Sequence, residues 1–265
     1  MEARQMAATA DRVLGVLALF TGLRSRWTVE EAAEALDLTL STAYRYFRSL
    51  AEADLLSSSI AGYYTLGPAV CVLDRAMRLN DPFIHAAMGE MEKLATAYPK
   101  TIILLTRLYK NTVMCVHREG EQLRASGYER GRPMPLHRGA ASKAILANLP
   151  PRTLRSLMNS DLSDPPVDME DLRSELRQIK AQGYSLTRGE IDTTKIGISV
   201  PVFRGDQSLE GSLSFVLDAS DPCEKRLLVE TLIRSRKVVE ANLLISDYLA
   251  FNPGNQHAAK VFPGD

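Results

Sequence analysis

Apolar residues recur at helical spacing near the N-terminus. Leu14, Leu17, Ala18 and Phe20 fall on one side of a helix predicted over about 11–23. Thr28 opens a second periodic stretch, with Glu31 three residues on. In that capping-box pattern the Thr28 hydroxyl and the Glu31 carboxylate satisfy free N–H groups at a helix start, which predicts a short helix over 29–36. Asp37-Leu38-Thr39 reads as a turn, and a third helix begins near Leu40 or Ser41 and runs to about Ala53. Residues 55–60 and 63–66 are strand-like runs joined at Ala61-Gly62, where glycine can take a positive φ.

Gly67-Pro68 interrupts the pattern and introduces a helix over about 69–79. Asp81-Pro82, an N-cap and first-turn pair, opens another to about Tyr98. Residues 101–109 and 112–118 are β-rich and meet at Lys110-Asn111, a hairpin signal. Residues 139–149 are helix-like, Pro150-Pro151 interrupts, and a short helix follows. A helix over 168–182 ends at Gly183. Residues 184–189, 196–204 and 209–217 read as strands, with a turn at Gly205-Asp206, and Pro222 opens a last helix to about Phe251. The order predicts an α+β chain. A small helical unit with a hairpin occupies 1–67, and a helical connector spans 68–81. A mixed domain of helices and antiparallel sheet covers 82–252, and 253–265 form a loose tail.

The chain has 265 residues, 45% hydrophobic and 24% charged, with a formal net charge of zero. That composition fits a soluble globular protein and leaves nucleic-acid binding to the placement of charge. Cys71, Cys115 and Cys223 are far apart and read as reduced thiols of a cytoplasmic protein. No apolar run approaches the roughly 18 residues of a membrane span, and no secretion signal is expected.

The stretch over 28–53 reads as a helix-turn-helix. Ala32, Ala33, Leu36 and Leu38 would hold its two helices together, with Ala43, Phe47, Leu50 and Leu55 on the buried side of the second. That second helix presents Ser41, Thr42, Tyr44, Arg45 and Arg48. Arg can donate two bonds to a guanine edge or clamp a phosphate, and hydroxyls suit phosphate oxygens. The hairpin would be a wing, with Ser57-Ser58-Ser59 and Tyr63 reaching the adjacent backbone or minor groove. Thr28, Ser41, Thr42, Tyr44, Arg45, Arg48, Ser58 and Tyr63 are therefore the candidate contacts to double-stranded DNA. Residues 1–66 hold six arginines against eight carboxylates, fewer positive charges than DNA-binding units usually carry. Four of those acids, Glu30, Glu31, Glu34 and Asp37, lie on or just after the bracing helix.

In its motifs the chain resembles the IclR family of bacterial transcription regulators. The likeness runs through Arg12-Val13-Leu14, the segment 28–56 and Tyr64-Thr65-Leu66-Gly67. It continues through the run from Pro135-Leu136-His137-Arg138-Gly139 to Ala144, then Gly183-Tyr184-Ser185, Gly197-Ile198 and Val200-Pro201-Val202-Phe203. The resemblance implies a winged helix-turn-helix, a linker helix and a GAF-like effector domain. It also implies homodimers or dimers of dimers on pseudo-palindromic operators, and small metabolite effectors, often carboxylates. Gly139 stands where the family usually has Thr, and Ser142 where it usually has Gly.

The resemblance places the effector between the helix that follows Pro-Leu-His and a facing strand. The implied residues are Met134, Gly139, Ala140, Ala141, Ser142, Glu190, Asp192, Ile198 and Val200. A Gly-Ala-Ala-Ser helix start offers N–H groups with little bulk, a natural seat for an anion. Ile198 and Val200 share strand parity and would face one side. Residues 118–143 carry six basic side chains against Glu119, Glu121 and Glu129, consistent with an acidic effector, aromatic acids included.

An enzyme is the weaker reading. Ser142 and Lys143 are adjacent on a helix and point about 100° apart, so they cannot readily share a proton. His85, His117, His137 and His257 show no metal spacing, and no phosphate loop or dinucleotide fingerprint is present. No cofactor is expected. The remaining alternatives are an interaction or sensing module with a degenerate helix-turn-helix and, last, a small-ester hydrolase.

Overall fold

The structure, a computed structural model, describes residues 2–21, 24–58, 62–120, 128–160 and 168–251. The predicted loose tail, Ser59 and Ala61 lie outside the described residues. The chain divides into two compact units, Met1–Asn80 and Asp81–Asp265.

The first unit contains α1 (Glu2–Ala18), α2 (Val29–Ala35), α3 (Leu40–Glu52), β1 (Leu56–Ser58), β2 (Tyr64–Leu66) and α4 (Ala69–Asn80). Helix α1 ends in a 3-10 turn at Leu19–Thr21. It starts earlier than its apolar pattern does, and its inward face is shifted: Leu17 and Phe20 meet the core, Val16 joins them and Leu14 does not. Val16 and Phe20, four residues apart, are buried, whereas Leu14 is 61% exposed. Thr28 caps α2 as expected. Its hydroxyl accepts from Glu31 N at 3.2 Å, and its own N–H donates to the Glu31 carboxylate at 2.9 Å. The core gathers Val16, Phe20, Val29, Ala32, Ala43, Tyr46, Phe47, Leu50 and Leu56. Phe47 packs edge-on against Tyr64, with ring centroids 4.9 Å apart, and so fastens the hairpin to α3. Leu56 fills the position expected of Leu55. Trp27 widens the hairpin through paired backbone bonds with Tyr64.

The second unit contains α5 (Pro82–Ala97), β3 (Ile102–Tyr109), β4 (Thr112–Gly120), β5 (Pro133–Met134), α6 (Ala140–Leu146) and α7 (Pro151–Ser160). It continues with α8 (Met169–Gln182), β6 (Ser185–Arg188), β7 (Lys195–Phe203), β8 (Leu209–Asp218) and α9 (Lys225–Phe251). Its strands form an antiparallel sheet in the order β5-β4-β3-β8-β7-β6. The two-residue β5 carries too little pattern to predict. Helix α9 starts three residues later than Pro222, because Asp221 first accepts from Cys223 N at 2.8 Å and closes a turn.

Both faces of the sheet are covered, which explains the long apolar runs in its strands. Ile103, Leu105, Ile196, Ile198, Val200, Leu213 and Phe215 pack with Phe83 and Met91 of α5 and Leu228 and Leu232 of α9. On the opposite face Ile102, Leu104, Cys115 and Val216 pack with Ile145 and Leu146 of α6 and Leu172 and Leu176 of α8. Next to that second core, β7 and β8 turn small residues toward α6. A Cβ at Gly197 would lie 3.1 Å from the Ala140 Cβ, and the Ser214 hydroxyl donates to Ser199 at 2.9 Å. Small side chains there let α6 approach the sheet closely.

Candidate functional site

Helix α3 is set at its start by Thr39, whose hydroxyl oxygen accepts from Thr42 N at 3.3 Å. Ala43, Tyr46, Phe47 and Leu50 face the core. The opposite side exposes Ser41, Tyr44, Arg45 and Arg48, and Thr42 is half-buried. Four of the five predicted reading residues therefore share the open face, while the Thr42 hydroxyl is tied to Thr39 at 2.8 Å. Thr28 spends its hydroxyl on the α2 cap. Ser58 is exposed at the end of β1. Tyr63 is half-buried on the other arm of the hairpin, with the Arg26 guanidinium 5.1 Å from its ring.

Internal carboxylates already engage part of this face. The Tyr44 hydroxyl donates to Glu30 at 2.8 Å, and Arg48 pairs with Glu52 at 2.8 Å. The Glu30 carboxyl is held below its usual range, chiefly by a backbone N–H and then by the Tyr44 hydroxyl. Glu30 therefore stays charged at neutral pH. Arg45 makes no ion pair among the described residues. Its guanidinium lies 5.5 Å from the Tyr46 ring.

The second candidate site lies where α6 meets the loop between β6 and β7. Met134, Gly139, Ala140, Ala141, Ser142, Glu190 and Asp192 all line one cleft. Ile198 and Val200 do not. Their shared parity is correct, but it turns them to the other face of the sheet, into the core against α5 and α9. The odd-numbered neighbours face α6 instead, and Gly197, Thr187 and Ser214 form that wall of the cleft. The alternation of small and large residues along β7 was the available signal. The large set marks the packed core, and the small set marks the side a ligand can reach.

Gly139 takes φ +87°, and a Cβ there would lie 2.9 Å from Ile191 Cγ1, so glycine suits this position. The Gly139 N–H donates to Glu190 at 2.7 Å. Lys143, one turn on, is buried and donates to Glu190 at 2.6 Å and to Glu175 of α8 at 2.8 Å. Burial, with the Asp192 carboxylate nearby, pushes the Tyr128 hydroxyl up to about 12, so this residue lines the cleft as a neutral phenol. Asp192 is held below the usual carboxylate range by the hydroxyl and N–H of Thr194. The cleft is tight, with a cavity volume of about 30 Å³.

Ser142 and Lys143 do not bond to each other as a catalytic pair would. The Ser142 hydroxyl donates to the Pro135 carbonyl at 2.7 Å, and Lys143 points to its two carboxylates. Burial raises the Cys115 thiol to about 11, far from a reactive thiolate. Among the described residues no cluster of His, Cys, Asp and Glu could hold a metal ion. Among them, too, no helix is long and apolar enough to cross a membrane.

Two family models match the chain. The IclR helix-turn-helix domain matches residues 9–58, and the bacterial transcriptional regulator IclR C-terminal domain matches residues 79–240. The chain belongs to the IclR family, whose members are transcriptional regulators with a DNA-binding helix-turn-helix and not enzymes. It is 24% identical over 229 residues to the HTH-type transcriptional regulator KipR of Bacillus subtilis, covering 84% of this chain and 90% of that protein. It is 25% identical over 194 residues to the HTH-type transcriptional repressor AllR of Escherichia coli K12, covering 71% and 72%. Among solved structures, an IclR homolog from Microbacterium hydrocarbonoxydans complexed with 4-hydroxybenzoate superimposes with a TM-score of 0.74. That match has 24% identity and covers 89% of this chain and 98% of the other, a likeness of fold.

Proposed function

We propose that the protein is a cytoplasmic, ligand-responsive regulator that binds a pseudo-palindromic operator as a homodimer or dimer of dimers and answers to a small carboxylate. The observation that carries the DNA half is the open face of α3, where Ser41, Tyr44, Arg45 and Arg48 project from a helix braced by α2. A helix so presented fits a major groove. Residues 1–67 form the reading unit, 68–81 the linker helix and 82–252 the effector domain. Self-association draws support from α4, which leaves Val72, Leu73, Met77 and Leu79 exposed in one chain. It also answers the acidic balance of the first unit, since two reading helices double the cationic contacts.

The carboxylate half draws on Lys143 and the Gly139 N–H, both of which already hold a carboxylate, and on the relative solved with 4-hydroxybenzoate. An effector acts only if it favours one arrangement of the dimer over another. Two measurements test the reading. Gel shifts on the DNA upstream of the protein's own gene should show salt-dependent binding. Calorimetry with a panel of carboxylates should show uptake that changes the shift. Loss of the first removes the DNA reading, and tight binding only of neutral or cationic compounds removes the second.

A further inference from the structure

The cleft presents a contradiction. Its cavity of about 30 Å³ has room for little more than a water, whereas small-molecule sites are commonly ten times larger. The groups best suited to a carboxylate are also in use, because both Glu190 oxygens sit on them, one on the Gly139 N–H and one on the Lys143 ammonium. Any ligand must therefore enlarge the cleft. The wall that can yield is the loop over 189–194, which contributes Gly189, Glu190, Ile191 and Asp192 to the lining. This loop is stitched to itself. Gly189 N donates to Lys195 O at 2.9 Å, Lys195 N to Asp192 O at 3.0 Å, and Thr194 N to the Asp192 carboxylate at 2.8 Å. Its foot is held where Thr194 O accepts from Ala219 N at 2.8 Å, and Ile191 packs on the second core, so a displacement that carries Glu190 away must hinge at Thr194 and lift Ile191.

That departure decides the chemistry of the ligand. Lys143 would keep Glu175 but lose its shorter bond, and the Gly139 N–H would lose its partner. A buried cation and a buried donor left short of acceptors are costly. A neutral carbonyl can accept these bonds but brings no charge to the ammonium, and a cation brings the wrong sign, whereas a carboxylate supplies both acceptor and charge. We propose that Glu190 is a resident competitor for the effector, its carboxylate holding the place on Lys143 that the carboxylate of a small monoacid takes. Binding is then an exchange of one carboxylate for another, and the product of the exchange is a displaced 189–194 loop. The inference rests on the carboxylate reading above and adds how the site is gated and why charge selects the ligand.

The test compares wild type with Glu190→Gln, which keeps the shape but weakens the bond to the ammonium. Acetate, benzoate and 4-hydroxybenzoate are titrated into each full-length protein by calorimetry, with a thermal melt to establish folding. The expected result is at least about tenfold tighter binding of one or more of these acids by the variant. Glu190→Ala, which removes the competitor entirely, should bind at least as tightly and covers the case in which the glutamine variant does not fold. If wild type binds an acid and both variants bind it equally or more weakly, Glu190 is a contact for the ligand, and the exchange is overturned while the carboxylate reading stands. If no protein binds any of the acids, both are overturned.

Discussion

Tyr44 and Arg48 of α3 and the donors of the cleft are both held by carboxylates of this same chain, at opposite extremes of exposure. Arg48 and Glu52 leave 82% and 63% of their side chains in water. Lys143 and Glu190 leave 8% and 27%. An exposed pair gains little over hydration, so a phosphate can replace the glutamate at almost no cost. A buried ammonium is costly to leave short of acceptors, so the exchange of its partner is favoured when another anion arrives. On the proposed reading, the first unit exchanges partners readily with a polyanion, and the second exchanges one partner for one ligand.

The sharpest way to break that contrast is to remove the buried cation. Lys143→Met keeps the length of the side chain but leaves Glu175 and Glu190 facing each other. The expected loss of stability is about 3 kcal/mol, at the lower end of the range for broken buried pairs because Glu175 is 40% exposed. Denaturant melts measure it, and adding Glu190→Gln to Lys143→Met should recover part of the loss. A loss no larger than that of Arg48→Met would mean that burial does not separate the two regions.

Next in size is the reading helix itself. Arg45→Ala should weaken operator binding by about 1–3 kcal/mol if Arg45 reads a base. Arg48→Ala should cost less, since Arg48 must first give up Glu52. A gel-shift titration in which Arg45→Ala leaves affinity unchanged, or in which Arg48→Ala costs more, would reverse the assignment.

Close to the buried extreme lies Asp81, the first residue of the second unit, 9% exposed beside an Arg107 that is 32% exposed. Its carboxylate caps α5 through Phe83 N at 2.9 Å and takes two bonds from Arg107 at 2.9 and 3.2 Å. Burial pushes its pKa up, but the Arg107 bonds and the two helix N–H groups outweigh that and hold it below the usual range. A depressed carboxylate contributes stability that is present above its unfolded pKa of about 3.9 and lost as pH falls through the lower folded value. Asp81→Asn still caps the helix but gives up the ion pair. It should lower Tm by a few degrees at pH 7 and flatten the loss of Tm on acidification below about pH 4. A pH–Tm profile parallel to wild type would show that the Arg107 pair does not contribute.

The reading helix was legible in the sequence because its determinants are local. Thr28 and Glu31 sit three residues apart, and the buried face of α3 repeats at helical spacing. The cleft was legible only on the side that shares this property, the run from Gly139 to Ser142. Its far wall is long-range. Glu190 reaches Gly139 across 51 positions, and Lys143 meets Glu175 across 32. No periodicity encodes such meetings. The error at Ile198 and Val200 has a specific cause. In a sheet covered on both faces, alternation tells which residues share a side and not which side the ligand meets. Only residue size, Gly197 and Ser199 against Ile198 and Val200, distinguishes the two. The outward turn of Leu14 in α1 has a related origin, since Leu14 and Val16 are equally apolar and only packing in the core with Phe20 and Phe47 separates them.

The smallest effect expected is also the most direct comparison of the two regions. Glu52→Gln frees Arg48 on the exposed face, as Glu190→Gln weakens the hold on Lys143 in the cleft. The Arg48 guanidinium is held in its charged form first by its hydrogen bond to Glu52 and then by that carboxylate's charge. It is cationic at any working pH with or without its partner, so the substitution changes its availability and not its charge. Removing a carboxylate near the phosphates should also reduce repulsion. Operator affinity should therefore rise by a few-fold at most at low salt, and the gain should shrink as salt screens both the pair and the backbone. Gel shifts at two ionic strengths measure this. A gain that survives high salt would mean that Glu52 holds Arg48 by packing as well as by charge. The reading face would then be partly closed in the way the cleft is, and the distinction between the two regions would be one of degree.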